Sequence, residues 1–571
     1  MKEKGNMDYN ERYLEWKAFA TDDETAAELL RIENDEPEKK SRFSEELKFG
    51  TAGLRGKMGA GTNRMNIYTV RKATQGFAEY VKKHGGMGAG IAVSFDTRKY
   101  SQRFARIAAR CLAANGIKTY LFASAASVPE LSFAILHLKA FGGIAITASH
   151  NPKDYNGYKA YAPWGGQLLD DKANEVTDCI EGVCGFGAAL DMELDEAVKN
   201  GIVEIIGEEI DSEYQKRLLG LSLRKDNIEK YAKDITFVYT PLYGTGLRTF
   251  KGVFSRLPYK YLLVEEQCVP DPEFPGMTAP NPEDETAMKK AVELAKRVSA
   301  DIAMGTDPDA DRMGAAVRNP EGEYIMLSGN QIGCIIVEYL LRQMKESGGL
   351  RPGDYIVKSF VSTRMADVIA KSYGIECVTV PTGFKYIADA INKRKRGRFV
   401  FGFEESGGFL AGDIARDKDG VMAMMLALEA LCECKQKGET IYSRLQSLYG
   451  VYGWHDEKVI SAQMEGEDGM RRISAIMSGL RTAPPGQLGG QKVLGYADYK
   501  DAKYKYPGGT KPMDFPRENA IIFDLEKGWF CVRPSGTEPK IKIYAAVCGK
   551  TGEEAKMLSG ALEAEARKLI G

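Results

Sequence analysis

From Ile91 to Pro152 the chain reads IAVSFDTR (91–98), SQRFARIAARCLAANGI (101–117), TYLF (119–122) and GGIAITASHNP (142–152). A β-branched and aromatic run is followed by a helical pattern, a second short strand and a third apolar strand that ends in small polar residues. The plan recurs twice. ITFVYTPLYGTG (235–246) leads through YLLV (261–264) to ADIAMGTDPDADR (300–312). YIVKSFVSTRM (355–365) leads through ADVIAKSYGI (366–375) and ECVTV (376–380) to RFVFGFEESGG (398–408). Three divergent copies in which strand and helix alternate predict α/β domains with mainly parallel sheets. In such sheets ligands gather beyond the carboxyl ends of the strands, so chemistry is expected in the loops after each third strand.

From about residue 448 the pattern changes. The loop clusters APPGQLGG (483–490) and YPGGTKP (506–512) precede a strand AIIFDLEKGWFCVR (520–533), a turn RPSGTEPK (533–540), a strand IKIYAAV (541–547) and a final helix rich in Ala, Glu, Lys and Leu. That is an α+β domain added to three related ones. The length of 571 residues suits about four domains. The expected boundaries are 1–207, 208–323, 324–447 and 448–571.

Composition removes several classes of function. The 78 Lys+Arg against 79 Asp+Glu leave no basic excess to hold a polyanion, so nucleic acid is not an expected partner. Apolar runs such as Val421 to Leu428 are far shorter than a membrane span, and MKEKGNMDYNERYLEWK has no apolar signal region, so a cytoplasmic location is the default expectation. The 10 cysteines make no CxxC pair, and Cys432 and Cys434 fall in a probable-helix pattern that points them in different directions. Four histidines without HExxH spacing disfavour a histidine-built zinc site, and neither a P-loop nor a complete dinucleotide fingerprint occurs.

The polar loops carry the candidate chemistry. TASHNP (147–152) sets Ser149 directly after an apolar strand, where it can serve as nucleophile or phosphate acceptor; His150 is its sequence neighbour, which disfavours a Ser-His-Asp triad. TDPDADR (306–312) supplies Asp307, Asp309 and Asp311 at alternate positions. Such close carboxylates repel unless a cation neutralises them, and oxygen ligands point to magnesium. An EF-hand is excluded because Arg312 and Arg318 stand where its glycine and bidentate glutamate belong. In GFEESGG (402–408), Glu404 and Ser406 suit a polyol, and RPSGTEPK offers a guanidinium, hydroxyls and glycine-exposed amides to a phosphate.

Together, in this order and one per expected domain, these four loops resemble the α-phosphohexomutase superfamily, and FGTAGLRG (49–56) matches its N-terminal signature. GTDPDADR and FGTAGLRGKMGAGTNRMN resemble its bacterial phosphoglucomutase branch, which has phosphomannomutase and phosphopentomutase relatives. The resemblance implies four domains around a cleft. It also implies Ser149 as the phosphoserine, joining the magnesium held by Asp307, Asp309 and Asp311, and Glu404 with Ser406 on sugar hydroxyls. Arg533, Ser535, Gly536 and Thr537 would take the distal phosphate. It further suggests Arg55 and His150 near the reacting phosphate, Lys159 as acid/base, and Arg312 beside the metal. Thr382, Gly383, Lys385 and Lys418 would be ligand contacts. The implied reaction interconverts glucose 1-phosphate and glucose 6-phosphate through glucose 1,6-bisphosphate, with small-molecule sugar phosphates as partners and neither nucleic acid nor membrane. Two readings from other classes stay open: a haloacid-dehalogenase-type phosphatase with Asp307 as nucleophile, whose motif wants Thr or Val at Asp311, and a catalytically silent sugar-phosphate sensor.

Overall fold

The computed structural model describes residues 8–50, 53–185, 187–394, 396–464, 466–535 and 540–571. The chain divides into two compact units. One comprises Met1–Gly329, Ile391–Lys393 and Ser406–Gly438; the other comprises Asn330–Ala390, Arg394–Glu405 and Glu439–Gly571. No helix among the described residues is long and apolar enough to cross a membrane.

The first unit opens with three helices, Tyr9–Phe19, Asp23–Arg31 and Glu36–Phe43. Each starts where an aspartate, Asp8, Asp22 or Asp35, caps free backbone N–H groups. They close over Tyr13, Trp16, Leu29 and Phe43. The first sheet follows, with β1 (Leu54–Lys57), β2 (Ile91–Phe95), β3 (Thr119–Phe122), β4 (Gly142–Ile146), β5 (Tyr155–Tyr161) and β6 (Val203–Ile206) in the order β1-β5-β4-β2-β3-β6. The four strands β4, β2, β3 and β6 are parallel, while β5 and β1 run antiparallel at one edge. Every residue of β2 and β4 is buried, as expected of parallel strands covered on both faces.

The second sheet has β7 (Thr236–Thr240), β8 (Lys260–Leu263), β9 (Ile302–Thr306), β10 (Met313–Arg318) and β11 (Tyr324–Leu327) in the order β11-β10-β9-β7-β8. Strands β9, β7 and β8 are parallel. In the second unit β12 (Tyr355–Ser359), β13 (Glu376–Val380) and β14 (Phe399–Glu404) pair in parallel as β13-β12-β14. Each repeat therefore places its first strand between its second and third, and each active loop leaves the carboxyl end of the third. The expected α/β class with mainly parallel sheets holds.

The helix Gly420–Gln436 belongs to the first unit. Val421 to Cys434 are all buried, so this helix is covered around its whole circumference. Cys432 and Cys434 are buried, and all ten cysteines are free thiols.

The C-terminal strands form an antiparallel sheet, and helices 466–482 and 552–570 contribute Ile473, Met477, Leu562 and Ala566 to the core on one face. Two sequence readings change here. AIIFDLEKGWFCVR is a hairpin, Ile521–Leu525 and Gly528–Pro534, because Glu526-Lys527 makes a two-residue turn. YPGGTKP is part of a second hairpin, Lys503–Tyr506 with Gly509–Pro512, in which Pro507-Gly508 forms the turn.

Candidate active site

Strand β4 delivers Ser149 with φ of 52°, a left-handed conformation that a residue with a side chain adopts only when its surroundings enforce it. The enforcing group is Arg98, whose side chain is wholly buried. Its guanidinium donates to the carbonyls of Ser149 and Asn151 at 2.5 Å, and of Pro152 and Tyr155 at 2.9 and 3.2 Å. Asp96 accompanies it at 3.4 Å and the Phe274 ring lies 5.0 Å from it. Thr147 accepts from the Ser149 N–H at 2.8 Å and donates to Asp309 Oδ2 at 3.1 Å. FDTR and TASHNP are plain in the sequence, but nothing in them tells that Arg98 serves backbone carbonyls of the serine loop or that Thr147 links the Ser149 N–H to Asp309.

Ser149 Oγ donates to Asp307 Oδ2 at 2.6 Å and lies 3.2 Å from His150 Nδ1. Asp307, Asp309 and Asp311 are all buried, and one carboxylate oxygen from each lies within 4.8 Å of the others. Lys159 Nζ reaches Asp309 Oδ2 at 2.8 Å and Asp311 Oδ2 at 3.2 Å, and Lys418 Nζ reaches Asp311 Oδ2 at 2.7 Å. Lys418 also meets Asp417 at 3.4 Å, and Asp417 accepts from Tyr161 and Gln167, each at 2.9 Å. Arg312 donates its N–H to Asp307 Oδ1 at 3.0 Å and its guanidinium to the Ser406 carbonyl at 2.7 Å. Arg55 donates to Asn151 Oδ1 at 2.9 Å.

Two loops fix the acidic turn from below. Thr245 donates its N–H to the Pro308 carbonyl at 2.8 Å, and the Gly420 N–H donates to the Ala310 carbonyl at 3.0 Å. A Cβ on Gly420 would sit 2.5 Å from the Arg312 carbonyl oxygen, so only glycine lets this helix start approach.

The electrostatics follow from crowding. Burial pushes the Asp307 carboxyl up and the neighbouring Asp309 and Asp311 push it further, well above the usual carboxylate range. Burial pushes Asp311 up too, but Lys418, Lys159 and Arg312 overcome this and hold it below that range. For both lysines burial works against the charge and the carboxylates prevail, so Lys159 and Lys418 are held as ammonium ions. A cation among the three carboxylates would relieve the repulsion that raises Asp307.

The oxygens agree. Asp309 Oδ1 and Asp311 Oδ1 are buried without a hydrogen-bond donor, which is the donor set a hard divalent cation takes. Asp307, Asp309 and Asp311 thus fit magnesium. Binding by the folded state alone gives an expected stabilisation of about 2.7 kcal/mol at a hundredfold excess over the dissociation constant. Urea unfolding with magnesium and with chelator measures it; coincident midpoints would contradict the fit.

In the second unit, Glu404 Oε1 accepts from the Gly383 N–H at 2.7 Å, which draws the PTGFK loop to the end of β14. Lys385 is buried in the first turn of helix Phe384–Lys393, with Nζ 5.1 Å from the Tyr386 ring. Thr382 Oγ1 donates to Glu518 Oε1 at 2.8 Å, and Arg533 Nε pairs with the same oxygen. Burial opposes the Arg533 charge, and Glu518 raises it again. Sequence reasoning missed Glu518, which sits among polar residues without pattern. Ser535 donates its N–H to the Lys540 carbonyl at 2.7 Å. Gly536 and Thr537 lie outside the described residues. Glu404 belongs to this unit and Ser406 to the other.

A strand-end serine thus touches a buried three-carboxylate loop of the next repeat. Four family models match in sequence: phosphoglucomutase/phosphomannomutase alpha/beta/alpha domain I at residues 46–183, domain II at 212–322, domain III at 328–452, and the C-terminal domain at 490–559. The phosphoglucomutase of Staphylococcus aureus strain MRSA252 is 36% identical over 517 residues, covering 89% of this chain and 91% of its own. That of Staphylococcus epidermidis is 35% identical over 505 residues, with 88% and 90% covered. The chain belongs to the phosphoglucomutase/phosphomannomutase family. Its fold is shared with parafusin (phosphoglucomutase) from Paramecium in the open form, with a TM-score of 0.66 at 17% identity and 93% and 95% coverage. A TM-score of 0.52 at 14% identity relates it to Aspergillus fumigatus N-acetylphosphoglucosamine mutase, solved with GlcNAc-6P and magnesium, with 92% and 96% covered.

Proposed function

We propose that this chain interconverts glucose 1-phosphate and glucose 6-phosphate through a phosphorylated Ser149 and glucose 1,6-bisphosphate. The observation that carries the reading is the 2.6 Å contact between Ser149 Oγ and Asp307, which joins a phosphate-acceptor hydroxyl to the acidic loop. In each half-reaction the Ser149 Oγ–P bond breaks as a substrate hydroxyl oxygen bonds to phosphorus, and the hydroxyl proton leaves to a nearby base. The bisphosphate then turns over and returns its other phosphoryl group to Ser149. Magnesium, when bound by Asp307, Asp309 and Asp311, supplies positive charge to the phosphoryl oxygens during this in-line transfer. Arg98 and Thr147 hold the serine in place. Lys159, kept as the ammonium by Asp309 and Asp311, rests as an acid able to return a proton to Ser149 Oγ when that oxygen leaves phosphorus. His150 Nδ1 lies 3.2 Å from the same oxygen, and Arg55, which donates to Asn151, is read as a contact to the reacting phosphate. Glu404, Ser406, Thr382, Gly383, Lys385 and Lys418 are read as ligand contacts, and the four-domain boundaries given above belong to this reading.

The support for glucose is the name carried by relatives at 35–36% identity over nearly the whole chain. The test compares rates on glucose 1-phosphate, mannose 1-phosphate and ribose 1-phosphate, each with and without the corresponding bisphosphate. Fastest turnover of glucose 1-phosphate with bisphosphate activation is expected; preference for mannose 1-phosphate or ribose 1-phosphate would assign the phosphomannomutase or phosphopentomutase alternative.

The distal phosphate is assigned to Arg533, with Ser535, Gly536 and Thr537. A guanidinium gives phosphate two parallel charge-assisted hydrogen bonds that lysine cannot reproduce. Arg533→Ala is expected to raise KM for glucose 1-phosphate roughly tenfold or more and also to lower kcat, because binding energy from a remote group aligns the reacting hydroxyl. Magnesium affinity should stay at the wild-type value. Steady-state kinetics with a magnesium titration decide it: unchanged KM and kcat would make RPSGTEPK a plain surface turn.

A further inference from the structure

The metal loop is gripped at two consecutive carbonyls by two different helix starts. Thr245, the residue before helix Gly246–Phe254, donates its N–H to Pro308 O at 2.8 Å, and Val128, the first residue of helix Val128–Leu138, donates its N–H to Asp309 O at 2.9 Å. One helix comes from the first repeat and the other from the second. One residue ties them together. Arg248, in the first turn of helix Gly246–Phe254, has Nη2 at 3.1 Å from Glu130 Oε2, in the first turn of helix Val128–Leu138. The same Nη2 lies 3.1 Å from Asp211 Oδ1 on helix Glu208–Leu219, and Nη1 donates to Ser124 Oγ at 2.6 Å.

The clasp is shielded from water on its acidic side: the Glu130 and Asp211 side chains are 2% and 13% exposed. Burial, and then the Asp211 carboxyl, push Glu130 up to about 8 against the pull of Arg248. Such a group holds two helix starts together. Without the guanidinium, Glu130 and Asp211 face each other unpaired, and the two helix starts lose their common partner.

We propose that Arg248 is a positioning residue for the metal loop, fixing the two helix starts so that Asp309 is presented to Thr147, Lys159 and the cation at one spacing. The proposal rests on reading the three aspartates as the magnesium site. It predicts an effect on the metal and on chemistry rather than on sugar binding, whose assigned contacts other than Ser406 and Lys418 are on the other unit.

Arg248→Met keeps the length of the stem and removes the fork. Magnesium titration by calorimetry should show affinity about tenfold weaker than wild type, within the usual range of coupling between linked sites. In the same variant kcat at saturating magnesium should fall while KM for glucose 1-phosphate moves less than about twofold. Arg248→Lys, which restores one charged contact and is the milder change should the first variant not fold, should recover part of the magnesium affinity. Magnesium affinity equal to wild type in folded Arg248→Met, or in Arg248→Lys where only that variant folds, would overturn the proposal. Asp309→Asn is the control. If it too binds magnesium like wild type, the metal reading falls and takes this proposal with it; if it binds weakly while the Arg248 variants bind normally, only the clasp is wrong.

Discussion

Ser149→Ala is expected to leave a folded protein whose mutase turnover is lower by on the order of 10⁴-fold or more, since the atom that carries the phosphoryl group is gone. The fold should survive. Arg98 and Thr147 hold the loop through the backbone of residue 149, and alanine keeps that backbone. What is lost is one donor to Asp307 Oδ2, worth about 1–3 kcal/mol for a buried group, while Oδ1 keeps its bond from the Arg312 N–H. The thermal midpoint should therefore shift by only a few degrees. Intact-mass analysis of the active wild type should show one added phosphoryl group, mapped to Ser149 and missing from the variant. Normal turnover by Ser149→Ala would end the phosphoserine mechanism. The experiment also separates the phosphatase reading, in which Asp307 is the nucleophile: that enzyme would release inorganic phosphate and would keep doing so without Ser149. In the structure both Asp307 oxygens accept hydrogen bonds, from Ser149 and from Arg312.

The repeats were readable because parallel strands buried on both faces write themselves as unbroken apolar runs, and because Ser149, Asp307 and Glu404 each end such a run. Their convergence in pairs was not readable. That Ser149 meets Asp307, and that Lys159 and Lys418 meet Asp311 from positions 152 and 107 residues away, depends on how distant elements pack, which no local spacing encodes. Arg98 shows the limit most clearly. In FDTR it looks like a solvated turn residue, yet it is buried and spends its donors on four carbonyls of the serine loop. The segment 406–438 shows another. Sequence order sets it in the third repeat with Glu404, and nothing in that order tells that Asp417, Lys418 and Gly420 bind Tyr161, Asp311 and the Ala310 carbonyl. The C-terminal hairpins were missed for a simpler reason: Glu-Lys is an uncommon two-residue turn, and the turn-rich YPGGTKP hides strands only four residues long.

Asp309→Asn is the second large effect. Asp309 Oδ2 accepts from Lys159 at 2.8 Å and from Thr147 at 3.1 Å, while Oδ1 is buried with no donor. Asparagine fills the same volume and can still accept on its oxygen, so packing is preserved. Its charge is gone, however, and its NH₂ can only donate, so one side of the site turns from ligand to repellent for a cation. Two consequences are expected. Magnesium affinity should fall by about a hundredfold or more, and kcat by on the order of 10³-fold, the scale of several kcal/mol of lost charge stabilisation. Lys159 should be affected in a second way, because Asp309 is the largest of the influences that overcome its burial. With only Asp311 left at 3.2 Å, its hold on the proton loosens. The alkaline limb of the kcat profile should then move to lower pH in Asp309→Asn measured at saturating magnesium, a shift that loss of metal alone does not produce. Calorimetric titration, thermal midpoints and the two pH profiles together decide the matter. Full activity of the wild type in excess chelator, or wild-type magnesium affinity in the variant, would remove the three aspartates from the reaction.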